Sequence, residues 1–158
     1  MRVILVAVGR TKAGPETELA ARYQDRAAKA GKGLGFRSID TVTLDESRAA
    51  DAATRKAEEA TAIRRIRAGR LVVLDERGRS MGSADFAALI GRWKDGGEDA
   101  ATLVIGGPDG LDPVLRGEAD LVLSFGAMTW PHQLVRVLAL EQLYRAITIL
   151  SGHPYHRV

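Results

Sequence analysis

A chain of 158 residues, 46% apolar and 27% charged, has the composition of a soluble globular protein large enough to bury a real core. Its net charge of +3 permits an anionic partner such as RNA without requiring one, and the absence of cysteine excludes disulfides, thiolate nucleophiles and cysteine-ligated metal centres. No apolar run reaches the length that crosses a bilayer, and the opening segment lacks a signal peptide's cleavage site, so no membrane contact is expected and the expected compartment is the cytoplasm.

The first segment, "RVILVAV" (residues 2–8), is a continuous β-branched run and predicts a buried strand. "PETELAARYQDRAAKAG" (15–31) predicts a helix, with proline in its first turn, acids near its start and glycine at its end. "FRSIDTVTL" (36–44) alternates as a half-exposed strand does, and the alanine-, arginine- and glutamate-rich stretch 46–68 reads as a helix with a charged face. "RLVVLD" (70–75) is a buried strand, after which Ser83 is expected to cap a helix through about Trp93. "ATLVIGG" (101–107) and "ADLVLSF" (119–125) are two further strands, separated by a turn around "LDPVLRG". A long helix closes the chain over 131–150.

This alternation predicts one α/β domain over 1–158, a mainly parallel sheet with helices on both faces. The last helix carries Leu134, Val135, Val137, Leu138, Leu140, Leu143, Ile147 and Ile149, too many apolar residues for one stripe. A homodimer interface is favoured over central burial as the reason.

Ligands of parallel sheets sit beyond the carboxyl ends of the strands. Three such ends draw notice: "VVLDERG" with Leu74 and Asp75, "IGGPDG" with Gly106, Gly107 and Gly110, and "LSFGAMTWPH" leading into the last helix. The glycine loop is neither a dinucleotide fingerprint nor a P-loop, which disfavours generic NAD or ATP binding. His153 and His156 have metal-like spacing, but catalytic zinc needs three protein ligands and only His132 remains, so no metal is expected. A serine-nucleophile elbow is absent. Read from its residues alone, the chain is an α/β enzyme or binding protein with a small-molecule site at these loops.

The ordered set "VIGGPDGL", "LSFGAMTWPHQLVRVLALEQLYRA" and "HPYHRV", with "LVAVGRTK" at the start and "LDERG" after the third strand, closely resembles the ribosomal large-subunit methyltransferase H family of the SPOUT class. The resemblance spans nearly the whole chain and is least specific over 10–70. It implies a SPOUT-type parallel sheet with a C-terminal trefoil knot, the knot and cofactor site lying at about 70–158. It implies S-adenosyl-L-methionine held by Leu74, Gly106, Gly107, Phe125, Gly126, Ala127, Met128, Thr129 and Trp130. Gly126-Ala127 stands where the family often has Ser-Pro, which leaves backbone groups to make the contacts there.

The resemblance further implies a homodimer that methylates N3 of a pseudouridine in the 23S rRNA of assembled ribosomes. N3 carries an imide proton, so methylation there calls for a base or for donors that stabilise the developing anion. The tail is expected to dock over the partner's knot, with His156 as first candidate base and His132 as second. Tyr155 would stack on the target base or hold a carbonyl, and Arg145 and Arg157 would hold phosphate or the anion. Alternatively His156 touches only RNA backbone and the proton passes to water. The Arg64-Arg65-Arg67 cluster reads either as an RNA contact or as a solvated helix face. A ribosome-associated factor without chemistry, and a methyltransferase of the same fold acting on tRNA, are the rival readings.

Overall fold

The structure, a computed structural model, describes residues 1–156; the expectation for Arg157 lies outside the described residues. The elements run β1 (Arg2–Val8), α1 (Pro15–Gly31), β2 (Ser38–Leu44), α2 (Ala52–Ile66), β3 (Arg70–Arg79), α3 (Ser83–Asp95), β4 (Ala100–Ile105), α4 (Pro113–Gly117), β5 (Leu121–Leu123) and α5 (His132–Leu150). All strand pairs are parallel, in the order β2-β1-β4-β3-β5. This SPOUT-type order is consistent with the C-terminal knot that the resemblance implies.

Strand alternation splits the core in two. Val3, Leu5 and Ala7 of β1, Val72 and Leu74 of β3 and Leu103 and Ile105 of β4 face α1, α3 and α5. Ile4, Val6, Val8, Leu71, Val73 and Val104 face Ala60 and Ile63 of α2 and Leu115 of α4. β4, central and wholly buried, is apolar along its length apart from Thr102, whose hydroxyl bonds the Ala68 backbone.

Several sequence expectations need correction. The helix predicted over 46–68 begins only at Ala52, because the Asp51 carboxylate accepts the Thr54 N–H at 2.8 Å and caps it there. Ser83 is not a cap: Gly82 holds that position, and the Ser83 hydroxyl donates to Gln142 on α5 at 2.8 Å. "LDPVLRG" is a short helix rather than a turn, capped by Asp112, and β5 is shorter than the seven residues expected.

The apolar surface of α5 is divided. Within its layer it packs against both α1 and α3, with Val137, Leu140, Leu143 and Ile147 buried. Leu134 stays exposed and Val135, Leu138 and Ile149 are only half-buried, so these two helices do not cover all of its apolar surface. Among the described residues no helix is long and apolar enough to cross a membrane.

Candidate functional site

The carboxyl ends of β3, β4 and β5 open into one cleft of about 310 Å³, within the size range of small-molecule sites. Leu74, Ile105, Gly106 and Gly107 line it from β3 and β4. Phe125, Gly126, Met128, Thr129 and Trp130 line it from the loop after β5, and His132 from the start of α5. Ala127, expected among these, stands outside the lining and is exposed.

Glycine is required on the floor of the cleft. A Cβ on Gly106 would sit 2.7 Å from Leu111 Cγ, and one on Gly107 would sit 3.2 Å from both Glu59 Oε2 and Val8 Cγ1. Backbone therefore forms that wall, tied back on itself where the Gly107 carbonyl accepts the Gly110 N–H at 2.9 Å. The loop after β5 turns at Gly126, whose φ of +117° disfavours any side chain. Ser124 staples the turn: its buried hydroxyl donates to the Gly126 carbonyl at 3.0 Å and accepts the Gly126 N–H at 3.1 Å.

Side chains from elsewhere hold these loops. Arg55 of α2 grips Asp109 with Nε at 2.6 Å and NH2 at 3.0 Å, while its NH1 donates to the carbonyls of Ala49 and Ala50. This fork holds the Asp109 carboxyl below its usual pKa. Glu59 lies behind Gly107, buried, with Oε1 accepting the Ser47 N–H at 3.0 Å; desolvation pushes its pKa up. Asp75 accepts from Arg116 at 3.2 Å and caps the Arg77 N–H at 2.9 Å, fixing the segment after Leu74.

The tail forms a second cluster, at the other half of α5. Glu141 Oε1 accepts from Arg145 Nε at 2.9 Å, from Arg145 NH2 at 2.5 Å and from the Tyr155 hydroxyl at 3.0 Å. The Tyr155 ring lies 4.7 Å from that of Tyr144, under the Arg145 guanidinium at 4.8 Å, and the Tyr23 hydroxyl is 3.4 Å from its own. Burial first, then the bonds to Tyr23 and Glu141, push the Tyr155 phenol above its ordinary pKa, so it is a neutral donor at physiological pH. Arg145 NH1 lies 3.3 Å from His156 Nδ1. An arginine can only donate, so Nδ1 accepts and His156 carries its proton on Nε2.

Arg145, Tyr155 and His156 are thus brought together, and His132 is not with them. His132 and Arg145 share one helix, whose rise of ~1.5 Å per residue separates them by about 20 Å. His153, considered above as a metal ligand, accepts the Tyr155 backbone N–H at 3.1 Å and shapes the tail's turn. Arg64 and Arg67 both bind Glu118, at 2.7 and 3.1 Å, where α2 leads into β3, at the end of the sheet opposite the cleft. Sequence reasoning missed Arg55, Glu59, Ser124 and Glu141. Only the acid and base in "GGPDG" and "ATRKAEE" hinted at the Arg55–Asp109 pair, and nothing local hinted at the others.

A family profile described as "Predicted SPOUT methyltransferase" matches residues 1–156. The chain is 60% identical to the ribosomal RNA large subunit methyltransferase H of a Bradyrhizobium strain, covering 99% of both chains. It is 59% identical to the protein of the same name from Rhodopseudomonas palustris, again over 99% of each. Among solved structures, a methylase family protein from Neisseria gonorrhoeae superposes with a TM-score of 0.50 at 14% identity, covering 99% of this chain and 85% of that one, a likeness of fold.

Proposed function

The chain belongs to the SPOUT methyltransferase family, and on that premise we propose that it methylates ribosomal RNA, at N3 of a pseudouridine in the 23S rRNA of assembled ribosomes, as a cytoplasmic homodimer using S-adenosyl-L-methionine. The observation that carries the reading is the single cleft into which the three strand-end motifs converge, floored by glycines that a side chain would fill.

The cleft fits the cofactor. Leu74, Ile105, Leu111 and Phe125 offer apolar walls for an adenine ring, and glycine at 106 and 107 keeps the floor free of side chains. S-adenosyl-L-methionine, when bound, supplies a methyl group already activated on a sulfonium sulfur. The protein's task is then to align N3 and to deal with its proton.

The tail cluster is equipped with donors. Tyr155 spends its one O–H on Glu141 and so fixes the cluster, His156 presents Nε2–H, and Arg145 is permanently charged. Together they suit an anion growing on the carbonyl oxygens beside N3. His132 lines the cleft itself and is placed to accept the proton. This order reverses the expectation from sequence, which put His156 first as the base, and it follows from the Arg145–His156 contact.

Because the two groups of residues lie about 20 Å apart along α5, one chain does not supply a whole site, and the reading assigns the tail set to the cleft of the second subunit. Met128, Trp130 and Leu134, exposed at 75%, 41% and 38%, offer apolar surface beside the cleft for that subunit. The experiment is single-turnover transfer of labelled methyl to ribosomes lacking the modification, followed by mapping of the labelled nucleotide. Label at N3 of one pseudouridine, with the acidic limb of the pH profile lost in His132→Ala but kept in His156→Ala, is the expected result. Label on another base overturns the substrate, and the opposite assignment of the limb overturns the base.

A further inference from the structure

Beside the cleft described above lie two more cavities, of about 390 and 150 Å³, and Arg136 of α5 lines both. The larger shares Pro108 and His132 with its neighbours in the first cleft, so the two sites adjoin at the start of α5. Arg136 is only 6% exposed. Its NH2 donates to the Gly9 carbonyl and its NH1 to the Thr43 hydroxyl at 3.1 Å, both neutral acceptors. Among the described residues no carboxylate forms an ion pair with it, and burial lowers its pKa with no counter-charge opposing the effect. A guanidinium has five N–H donors, so the two bonds leave capacity unspent.

A buried cation without an anion is costly, and a neutral side chain of similar length would fill the same space without that cost. Arg136 sits in the second turn of α5, close to the helix N-terminus, so the helix dipole adds to the positive potential there. Two carboxylates, Glu16 and Glu46, also line the larger cavity, and Glu16 lines the smaller one as well. A purely anionic ligand would meet them unfavourably. A ribonucleotide would not, because its phosphate needs the arginine fork while its sugar hydroxyls need acceptors.

We infer that the cavity at Arg136 is a second nucleotide subsite, holding the phosphate of a residue flanking the target base on Arg136 and its 2′-hydroxyl on Glu16 or Glu46. The inference rests on the reading that the substrate is RNA, and it names a part of the molecule that reads the strand rather than the reacting base. Discrimination of RNA from DNA would follow from the carboxylates, and phosphate affinity from the arginine.

The test uses the full-length protein saturated with S-adenosylhomocysteine, so that the cofactor cleft is closed to the probes. Uridine 3′-monophosphate, its 2′-deoxy analogue and uridine are titrated by calorimetry into wild type, Arg136→Gln and Glu16→Gln. The nucleotide is expected to bind wild type at least tenfold more tightly than uridine, and Arg136→Gln to abolish that difference while keeping its affinity for S-adenosylhomocysteine. On ribosomal substrate the salt slope of log KM should fall by about one in Arg136→Gln. Glu16→Gln should narrow the preference over the deoxy analogue. Equal binding of nucleotide and nucleoside by wild type overturns the inference and leaves Arg136 a clasp between α5 and the β1 loop; so does an unchanged salt slope. Should Arg136→Gln fail to fold, the wild-type and Glu16→Gln titrations decide alone. Failure to bind S-adenosylhomocysteine at all would instead sink the methyltransferase reading.

Discussion

The two halves of α5 are built in opposite ways. At its N-terminal end the cleft is floored by backbone: glycines at 106 and 107 leave no easy room for a Cβ, and Gly126 turns the loop with a positive φ. At its C-terminal half the tail is shaped by side chains, with Glu141 gathering Arg145 and Tyr155 onto one carboxylate oxygen. The first suits a site that closes around a small molecule, since backbone tolerates close approach. The second suits a preorganised set of donors that need not move when charge develops. On the proposed function, holding a methyl donor and managing a proton on the acceptor are separate tasks, assigned to two groups of residues about 20 Å apart on one helix.

The sharpest way to break this division is to disable the halves in different chains. On the proposed dimer, Gly106→Val should disable the cleft and Tyr155→Phe with His156→Ala the tail, each variant alone losing nearly all methyl transfer. Chains mixed through unfolding and refolding should recover about a quarter of wild-type turnover, since half of randomly paired dimers carry both variants and one of their two sites is intact. No recovery, with mixed dimers confirmed by mass spectrometry, would mean that cleft and tail act within one chain.

Within the cleft half, Gly106→Ala is the milder probe. Its methyl would meet Leu111 Cγ at 2.7 Å, and the packed Leu111 can yield only part of that. We expect cofactor affinity to fall at least tenfold by calorimetry, with overpacking costing about 1–3 kcal/mol of stability in denaturant unfolding. Arg55→Gln should act less strongly. It removes the fork on Asp109, a lining residue, while leaving the rest of the cleft in place, so cofactor affinity should drop several-fold with kcat nearly unchanged. The Asp109 pKa, now held down by Arg55, then returns toward its ordinary value; in wild type that ion pair contributes above the unfolded carboxylate pKa and is lost as pH falls through the folded one. Cofactor binding by wild type should therefore weaken on acidification, and that part of the acid dependence should vanish in Arg55→Gln.

How much of this the sequence carried depends on the range of the interaction. β1 and α1 were legible to the residue, because apolar period, proline and glycine are local signals. The start of α2 was not, since Asp51 as a cap competes with a helix-prone stretch on both sides. The residues that the motif resemblance implies for the cofactor, all but Ala127, line one cleft. Apolar crowding on α5 is only partly explained by α1 and α3, which flank it in its own layer while Leu134 stays exposed; in one dimension a flanked helix and a helix at an interface look alike. Arg55–Asp109 and Arg136–Gly9 join residues 54 and 127 positions apart, and no local pattern marks such pairs.

The smallest effect tests the rear of the cleft. Glu59 stands against Gly107 with its carboxyl desolvated, and Asp109 and Glu46 add to the rise in its pKa. A folded-state pKa above the unfolded value means its favourable contribution is complete below the unfolded pKa and is lost as pH rises through the folded one. Ionised Glu59 is therefore a net cost to the fold. Glu59→Gln keeps an oxygen to accept the Ser47 N–H and removes that charge, so its Tm should exceed wild type at pH 7, with the gap closing toward pH 4. A cost of this kind persists where the group serves the neighbouring site, and the same variant tells which half benefits. If S-adenosylhomocysteine binds Glu59→Gln more weakly while methyl transfer at saturating cofactor is unchanged, the carboxylate belongs to the cleft's floor. If binding is unchanged and transfer falls, Glu59 acts on the acceptor side, and the clean separation of the two halves no longer holds.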